Sequence, residues 1–314
     1  MPFPRNSKPE TRNSFSILFP ILRFWLRKTR PRTSGAVALT GLTEKVSVSF
    51  DRYAVPHICA ASERDLFLAQ GYLHARERLW QMDLNRRAVS GRMAEIFGDR
   101  PLPRGVSAEL GGRTFADLDY FIRLAGMRRA ARASLGCLTE REAEILDAYS
   151  AGVNRYIETH LKSPPLEFRL LRYEPEPWRP EDCLTLGKGF AFFLSTSFFT
   201  RVAWIALADG LKNEPEKLKS LLPRYPSGGP SITRPCAAAA RGLLGFMSGT
   251  FDLYGAAAGQ GSNSWVVAPG RSATGAPILC NDPHLRLELP STWYLMHLRA
   301  AGAKPDADFE VWGG

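Results

Sequence analysis

One stretch of the sequence, residues 223–261, constrains the fold most because it separates two kinds of pattern. The stretch is rich in glycine, proline, alanine and serine, and it includes a run of four alanines at 237–240. This composition is typical of a flexible connector. Apolar residues recur at helical spacing before the connector and alternate as in strands after it. The sequence therefore predicts a mostly helical region, residues 36–222, joined to an α+β region.

Two long helices are predicted before the connector from their caps and apolar stripes. The first covers residues 62–89, where Ser62 is the predicted N-cap. The second covers residues 139–161, where Thr139 and Glu142 form a predicted capping box. Each helix has apolar residues at three- and four-residue spacing, so one face of each is expected to be buried.

The other predicted elements lack such paired caps. A third helix is predicted over residues 180–211, because proline suits the first turn of a helix. Residues 163–180 are predicted to be a proline-rich loop, and residues 93–98 a short helical segment. Strands are predicted at residues 46–50, 264–268, 277–280 and 293–300.

Positive charge is concentrated at the N-terminus. The chain has 314 residues and a net charge of +10, and residues 1–34 hold eight basic residues and one acidic residue. The remaining 280 residues carry only +3, without a basic stripe interleaved with aromatic residues. This distribution predicts no nucleic-acid partner.

Residues 1–35 are predicted to be a leader, for which the sequence leaves two interpretations open. The apolar run at 15–26 is shorter than the roughly 20 residues that span a bilayer, but it suits a signal-peptide core. The basic segment 27–32 opposes export of that side. A degenerate signal or anchor predicts a periplasmic or membrane-associated protein, whereas a surface leader predicts a cytoplasmic one, so membrane contact by the leader stays open.

The junction after the connector carries the candidate chemistry. Ser262 directly follows Gly261 and precedes a predicted strand. Cleavage before Ser262 would free an α-amino group with a pKa of about 8 on a residue that also has a hydroxyl. The amine could then take the hydroxyl proton and replace the histidine of a catalytic triad. Gly261 lacks a Cβ, so it tolerates a strained backbone before the scissile bond.

A glycine–serine pair alone is not specific, but long motifs surround this one in a fixed order. Residues 36–314 resemble the penicillin acylase (penicillin amidase) family of N-terminal-nucleophile hydrolases, with a weak stretch at 185–255. The segments that carry the resemblance are residues 50–58, 65–98, 178–182, 261–268, 272–279, 281–285 and 289–297.

The resemblance implies an α+β fold, an αββα sandwich in the parent protein with a sheet that is incomplete in this chain. Residues 36–222 resemble the α subunit, residues 223–261 the spacer peptide, and residues 262–314 the start of the β subunit. The implied activity is hydrolysis of a linear amide other than a peptide bond, with a small-molecule acyl amide as substrate. The implied partner is the second subunit of an α/β heterodimer cut from one precursor.

The resemblance also implies roles for individual residues. Ser262 resembles the nucleophile, and the bond between Gly261 and Ser262 resembles the autocatalytic cleavage site. His284 lies where the family places a residue whose backbone orients the free amine, and Asn281 shapes the turn that carries it. Penicillins, cephalosporin side chains and acyl-homoserine lactones are all substrates in such families, and the sequence does not choose among them.

Two departures from the family pattern leave a second hypothesis open. The family's oxyanion-hole donors lie further downstream of the nucleophile than residue 314, and each such donor contributes strongly to turnover. The family's calcium-binding glutamate would fall in residues 197–202, which contain no acid. No cofactor is therefore predicted with certainty, and the missing acid argues against calcium. The alternative to an amidohydrolase precursor is a catalytically silent, truncated fragment, and the chain alone is expected to be inactive.

Overall fold

The structure is a computed structural model that describes residues 34–102, 114–221, 262–284, 289–301 and 309–313. The predicted connector, Gly261 and the leader up to residue 33 lie outside the described residues. The chain divides into two compact units, Met1–Thr40 and Gly41–Gly314, and the helices and strands given below all lie in the second.

Helices make up most of the described residues before the connector. Their bounds are α1 (Glu63–Ser90), α2 (Ala94–Phe97), α3 (Phe115–Ala125), α4 (Met127–Leu135), α5 (Glu140–His160), α6 (Leu166–Leu171), α7 (Pro180–Leu194), α8 (Thr196–Gly210) and α9 (Pro215–Leu221). Within the described residues, no helix is both long and apolar enough to cross a bilayer.

Helix α1 confirms the first predicted helix, including its cap. The Ser62 hydroxyl accepts a hydrogen bond from the Asp65 N–H at 3.1 Å. Gly91 ends the helix at φ +66°, a left-handed conformation that glycine adopts without steric cost. The buried Asp65 carboxylate also accepts hydrogen bonds from the N–H groups of Thr43 and Glu44, at 3.0 Å each. These bonds hold the segment before β1 against the start of α1.

Helix α5 confirms the predicted capping box. The Thr139 N–H donates to the Glu142 carboxylate at 2.8 Å, and the Glu142 N–H donates to the Thr139 hydroxyl at 3.3 Å. Both bonds satisfy donors that a helix start leaves unpaired. The sequence therefore located the start of this helix correctly.

The backbones of α1 and α5 approach each other closely at two glycines. A Cβ on Gly71 would lie 2.0 Å from the carbonyl oxygen of Tyr149. A Cβ on Gly152 would lie 1.9 Å from the carbonyl oxygen of Leu68. Both distances are too short for any side chain, so this crossing requires glycine at both positions.

A buried ion network closes the far end of α1. The Asp83 carboxylate, which is 1% exposed, lies 2.6 Å from a guanidinium nitrogen of Arg86 and 2.9 Å from Nε of Arg87. The Tyr173 hydroxyl donates to the same carboxylate at 2.6 Å. Because all these groups are partnered, their burial is tolerated, whereas removal of one partner would leave a buried charge unmatched.

Three predictions in the helical region are wrong or incomplete. The predicted helix over residues 180–211 is two helices, α7 and α8, because the backbone leaves the helical region at Ser195, where ψ is +84°. The predicted loop at 163–180 contains α6, which forms because Phe168 is fully buried there. Helices α3 and α4 were not predicted at all.

The strands form a four-stranded sheet and a separate two-stranded hairpin in the described residues. The sheet has the order β1 (Ser47–Phe50), β2 (Pro56–Ala60), β5 (Met296–Ala300) and β6 (Phe309–Gly313), and β2 runs parallel to β5. The hairpin pairs β3 (Ser262–Val267) with β4 (Ile278–Pro283). Each of the four predicted strands is present with shifted ends, so the described residues confirm the predicted α+β class.

The four-stranded sheet joins chain segments from both sides of the connector. One face of the sheet packs against α1 in a core that includes Ile58 and Leu298 from the strands and Leu66 and Leu73 from the helix. Because successive residues of a strand point to opposite faces, His57 and His297 lie on the other face. The sequence pattern did not predict this pairing of β2 with β5.

Candidate active site

The hairpin register places the predicted nucleophile beside the predicted second motif. Ser262 is the first residue of β3 and lies opposite Pro283, while Ser264 lies opposite Asn281. Residues opposite each other in an antiparallel pair share a face, and so do residues two apart along a strand. The structure therefore brings Ser262 and Asn281 to the same face of the hairpin.

The Asn281 side chain is held by a neighbour of the nucleophile. The Ser264 hydroxyl donates a hydrogen bond to Oδ1 of Asn281 at 2.7 Å. The Ser262 hydroxyl has no hydrogen-bond partner among the described residues, and the residue is exposed. The side chain of Asn281, on the neighbouring strand, is thus held in place by Ser264 on the face that also carries Ser262.

His284 lies at the Ser262 end of the hairpin, directly after Pro283. Its Nε2 is 2.7 Å from Oδ2 of Asp282, within the same turn, and both side chains are at least half exposed. The ring is thus paired with a carboxylate of its own turn. This geometry agrees with a turn residue whose backbone contributes to the site, and it offers no contact between the ring and Ser262.

Both faces of the hairpin are open within the described residues. Trp265 is 56% exposed and Leu279 is 65% exposed, although both belong to central positions of their strands. Large apolar side chains at such positions are usually covered by a packed layer. Within the part of the chain that the structure describes, the predicted nucleophile Ser262 therefore lies on an exposed surface, in contrast to the enclosed sites in which acyl transfer is normally catalysed.

A cluster of histidine, glutamate and tryptophan side chains lies on the face of the four-stranded sheet that does not pack against α1. The Nδ1 atoms of His57 and His297 are 3.2 Å apart, and Nε2 of His297 lies 2.8 Å from Oε1 of Glu310. The Trp312 ring stacks on His297 with centroids 4.2 Å apart. The sequence pattern did not predict this cluster, since His57 and His297 are 240 positions apart and no local signal indicates that they meet.

A second histidine is buried between α1, α5 and the segment after the hairpin. Nδ1 of His74 is 2.8 Å from the Tyr149 hydroxyl, and the ring centroids of His74 and Tyr294 are 5.5 Å apart. Nε2 of His74 is buried without a partner among the described residues. Desolvation, with a contribution from the charge of Arg78, lowers the pKa of His74 to about 4. His74 is therefore neutral near neutral pH.

Side chains of α1 also tie the helix to the segment after the hairpin. Nη1 of Arg78 donates to the Ser291 carbonyl at 3.1 Å, and Nε2 of Gln81 donates to the same oxygen at 3.2 Å. The Arg78 guanidinium also lies over the Tyr294 ring, 5.3 Å from its centroid. These contacts and the β2–β5 pairing connect segments on either side of Ser262.

The described residues do not fit a metal ion. They contain no group of three or more histidine, cysteine, aspartate or glutamate side chains that could hold one. Residues 197–202, where the expected calcium ligand would fall, have no carboxylate in the sequence.

Comparison with known proteins finds a matching family model and relatives that are named as acylases. A family model for penicillin amidase matches residues 45–314. Penicillin acylase 2 proenzyme of Pseudomonas sp. (strain SE83) is 34% identical over 291 residues, which cover 87% of this chain and 34% of the relative. Acyl-homoserine lactone acylase QuiP of Pseudomonas aeruginosa is 29% identical over 279 residues, covering 86% of this chain and 31% of the relative.

A solved structure is also similar to part of the chain. Thermostable penicillin G acylase from Alcaligenes faecalis matches with a TM-score of 0.47 and 25% sequence identity, covering 62% of this chain and 98% of that chain. The chain spans about a third of the length of the curated relatives given above.

Proposed function

Because this chain belongs to the penicillin amidase family, we propose that the whole protein is an amidohydrolase precursor that acts through an acyl-enzyme on Ser262. The observation that carries the proposal is the position of Ser262 at the start of β3, opposite Pro283 and beside the turn of His284, with a hydroxyl that bonds to none of the described residues. Family membership also assigns the N-terminal-nucleophile hydrolase fold class, whose sheets are incomplete in the described residues.

Maturation would begin with an attack by Ser262 on its own peptide bond. The Ser262 Oγ adds to the Gly261 carbonyl carbon, the C–N bond breaks, and an ester joins Gly261 to the serine hydroxyl. The leaving nitrogen takes a proton and becomes the free α-amine of Ser262. Water then hydrolyses the ester, which leaves Gly261 with a carboxylate and restores the hydroxyl.

Substrate hydrolysis would repeat the same steps on an external amide. The α-amine of Ser262 accepts the hydroxyl proton as Oγ attacks the substrate carbonyl, and the proton passes to the departing amine. The Ser264–Asn281 hydrogen bond fixes the neighbouring strand, and the His284 backbone lies where it could orient the α-amine. The pairing of the His284 ring with Asp282 supports the α-amine, and not this ring, as the base.

The substrate class we propose is a small acyl amide. Two relatives are named for penicillin and for acyl-homoserine lactones, both of which carry an acyl group on an amide nitrogen. One chemistry at Ser262 would serve either substrate, because the reacting bond is the same. The choice between them depends on side chains that contact the acyl chain.

We also propose that the cleaved protein is a heterodimer held together without the Gly261–Ser262 bond. The parallel pairing of β2 with β5 and the bonds from Arg78 and Gln81 to Ser291 all cross between the segments before and after Ser262. Cleavage before Ser262 would leave each of these contacts in place. They support an assembly that survives maturation.

Intact mass and N-terminal sequencing test the proposed maturation. The 314-residue chain and the same chain extended by the coding sequence that follows it would be expressed as wild type, Ser262→Ala and Ser264→Ala. A new chain beginning at Ser262 is expected in the extended wild type and in Ser264→Ala, and it should be absent from Ser262→Ala. An uncut extended wild type, or normal cutting of Ser262→Ala, would contradict the proposal.

The second candidate is a catalytically silent chain, and it is favoured by the open faces of the hairpin. An oxyanion formed at an exposed Ser262 would meet water in place of preorganised donors. We propose that the 314-residue chain alone is inactive. Release of amine from an acyl amide by this chain, lost in Ser262→Ala, would overturn that proposal.

A further inference from the structure

A cavity of about 330 Å³ lies where the end of α1, the end of α3 and the start of α4 meet. Its lining among the described residues is dominated by arginine. The charged side chains in that lining are Arg92, Arg123, Arg128, Arg129, Arg132 and a single acid, Glu95. Five positive charges around one cavity with one negative charge in its wall create a strongly positive potential.

Carboxylates hold three of these arginines in place. Arg92 contacts Glu95 at 2.7 Å and Glu176 at 2.6 Å. Arg128 and Arg132 share one oxygen of Glu181, each through its Nε. A guanidinium bonded through Nε keeps its two terminal nitrogens as donors, and neither arginine bonds through them to another described residue. The positive charges of Arg128 and Arg132 are therefore balanced by the single carboxylate of Glu181.

The other two arginines form no ion pair with a described acid, although the Asp119 carboxyl interacts electrostatically with Arg123. Nε of Arg123 donates to the Gly91 carbonyl at 2.7 Å, and this arginine forms no ion pair with a described residue. Arg129 forms neither a hydrogen bond nor an ion pair with the part of the chain that the structure describes. Its guanidinium lies close over Gly126, where a Cβ would come within 2.5 Å of Nη2. An excess of positive charge thus remains in the cavity.

We propose that this cavity, the arginine cavity, binds a small oxyanion of the phosphate or carboxylate class. The planar guanidinium fork matches both groups and can bind them through two parallel hydrogen bonds. The start of α4, with its partial positive charge, and the ends of α1 and α3, with partial negative charges, all line this cavity, so the arginines and not the helix dipoles carry the proposal. The site lies apart from Ser262, and its occupation does not depend on the proposed amidase chemistry.

The oxyanion could be free in solution or could belong to a phospholipid headgroup, since both present the same phosphate oxygens. A free anion would enter the cavity alone, whereas a headgroup would also bring this surface to a bilayer. The two sources share the chemistry at the arginines and differ only in what accompanies the phosphate.

Thermal unfolding of the 314-residue chain tests the proposal with inorganic phosphate, compared with chloride at matched ionic strength. A ligand that binds only the folded state raises Tm with the logarithm of its concentration. The double variant Arg123→Gln/Arg129→Gln is expected to weaken phosphate binding by at least about tenfold, since it removes two charged donors. Arg129→Gln alone, at an exposed side chain, should give a smaller loss and guards against misfolding of the double variant.

The matched control is Arg52→Gln/Arg271→Gln, which makes the same change in net charge at two exposed residues outside the cavity lining. The control should keep the phosphate-dependent rise in Tm. The proposal would be overturned if the control and the cavity variant lost the phosphate-dependent rise in Tm equally. It would also be overturned if phosphate did not raise the Tm of the wild type.

Co-sedimentation with phosphatidylglycerol vesicles separates the two sources. Vesicle binding that falls in the cavity variant and not in the control would identify a headgroup. Phosphate binding without such a fall would identify a free oxyanion.

Discussion

The pair of helices α1 and α5 and the β3–β4 hairpin differ in how far their side chains are buried. In the helix pair, Gly71 and Gly152 let the two backbones meet, and the flanking side chains are buried on both sides. In the hairpin, Trp265 and Leu279 stay more than half exposed, and the strands are held by their own register. The contrast teaches that the helix pair is held by packing between its two helices, whereas the hairpin that carries the proposed nucleophile is held mainly by its own strand pairing.

Removal of the buried carboxylate at the end of α1 is expected to have the largest effect on stability. Asp83→Asn would remove the charge partner that Arg86 and Arg87 share and leave them only their partly exposed acids, so we expect a loss of about 3–4 kcal/mol of unfolding free energy. Urea unfolding measures this change. A loss below about 1 kcal/mol would show that water or other groups replace the carboxylate.

The second prediction breaks the helix crossing itself. Gly152→Ala would force a methyl group against the Leu68 carbonyl, so we expect a loss of about 3 kcal/mol, at the upper end of overpacking effects. Gly187→Ala is the matched control, because no atom lies within 4 Å of a Cβ there and alanine favours a helix. The control should be neutral or slightly stabilising in the same urea experiment. Equal effects of the two substitutions would contradict the close crossing.

The third prediction concerns the pH dependence of the helix pair. The pKa of His74 is about 4 in the folded protein and about 6.5 when unfolded, so the unfolded state binds the proton first as pH falls. Stability is therefore complete above the unfolded pKa and is lost as pH falls toward 4, by about 2 kcal/mol between about pH 7 and about pH 5.

Urea unfolding at the two pH values, in the wild type and in His74→Gln, isolates this contribution. The variant should lose that part of the pH dependence. If the unfolding free energy of His74→Gln changes with pH as much as that of the wild type, other groups cause the acid sensitivity.

The smallest effect is expected in the hairpin. Ser264→Ala removes the exposed hydrogen bond to Asn281 and should change the unfolding free energy by less than about 0.5 kcal/mol. If it also slows the proposed cleavage at Ser262, as measured by intact mass over time, the bond contributes to positioning. A large loss of stability would instead show that the hairpin is packed like the helix pair.

Helix ends were predictable wherever capping chemistry was local. Ser62 and the Thr139–Glu142 pair bond within three residues, so the sequence pattern contained both partners of each bond. The same signal was present and overlooked at Thr114 and Asp117, which cap α3 in a capping box. The break between α7 and α8 falls at the polar run Ser195-Thr196-Ser197, whose residue types favour turns and helix starts, so this signal was also present in the sequence.

The candidate site was predictable in part. The sequence motifs identified Ser262 and placed Asn281 and His284 near it, and the hairpin register brings Asn281 to the face of Ser262. The pairing of the His284 ring with Asp282 was not predicted, since it depends on the shape of one turn. The roles of these residues in cleavage and catalysis stay predictions.

The sequence by itself determined the family, the capped helices and the residue proposed as nucleophile, because these depend on motifs and on bonds between near neighbours. Only the tertiary structure decided that β2 pairs with β5, that His57 meets His297, and that five arginines line one cavity. The physical reason is that such contacts arise from packing and charge between distant segments. No local propensity encodes which of those segments will meet.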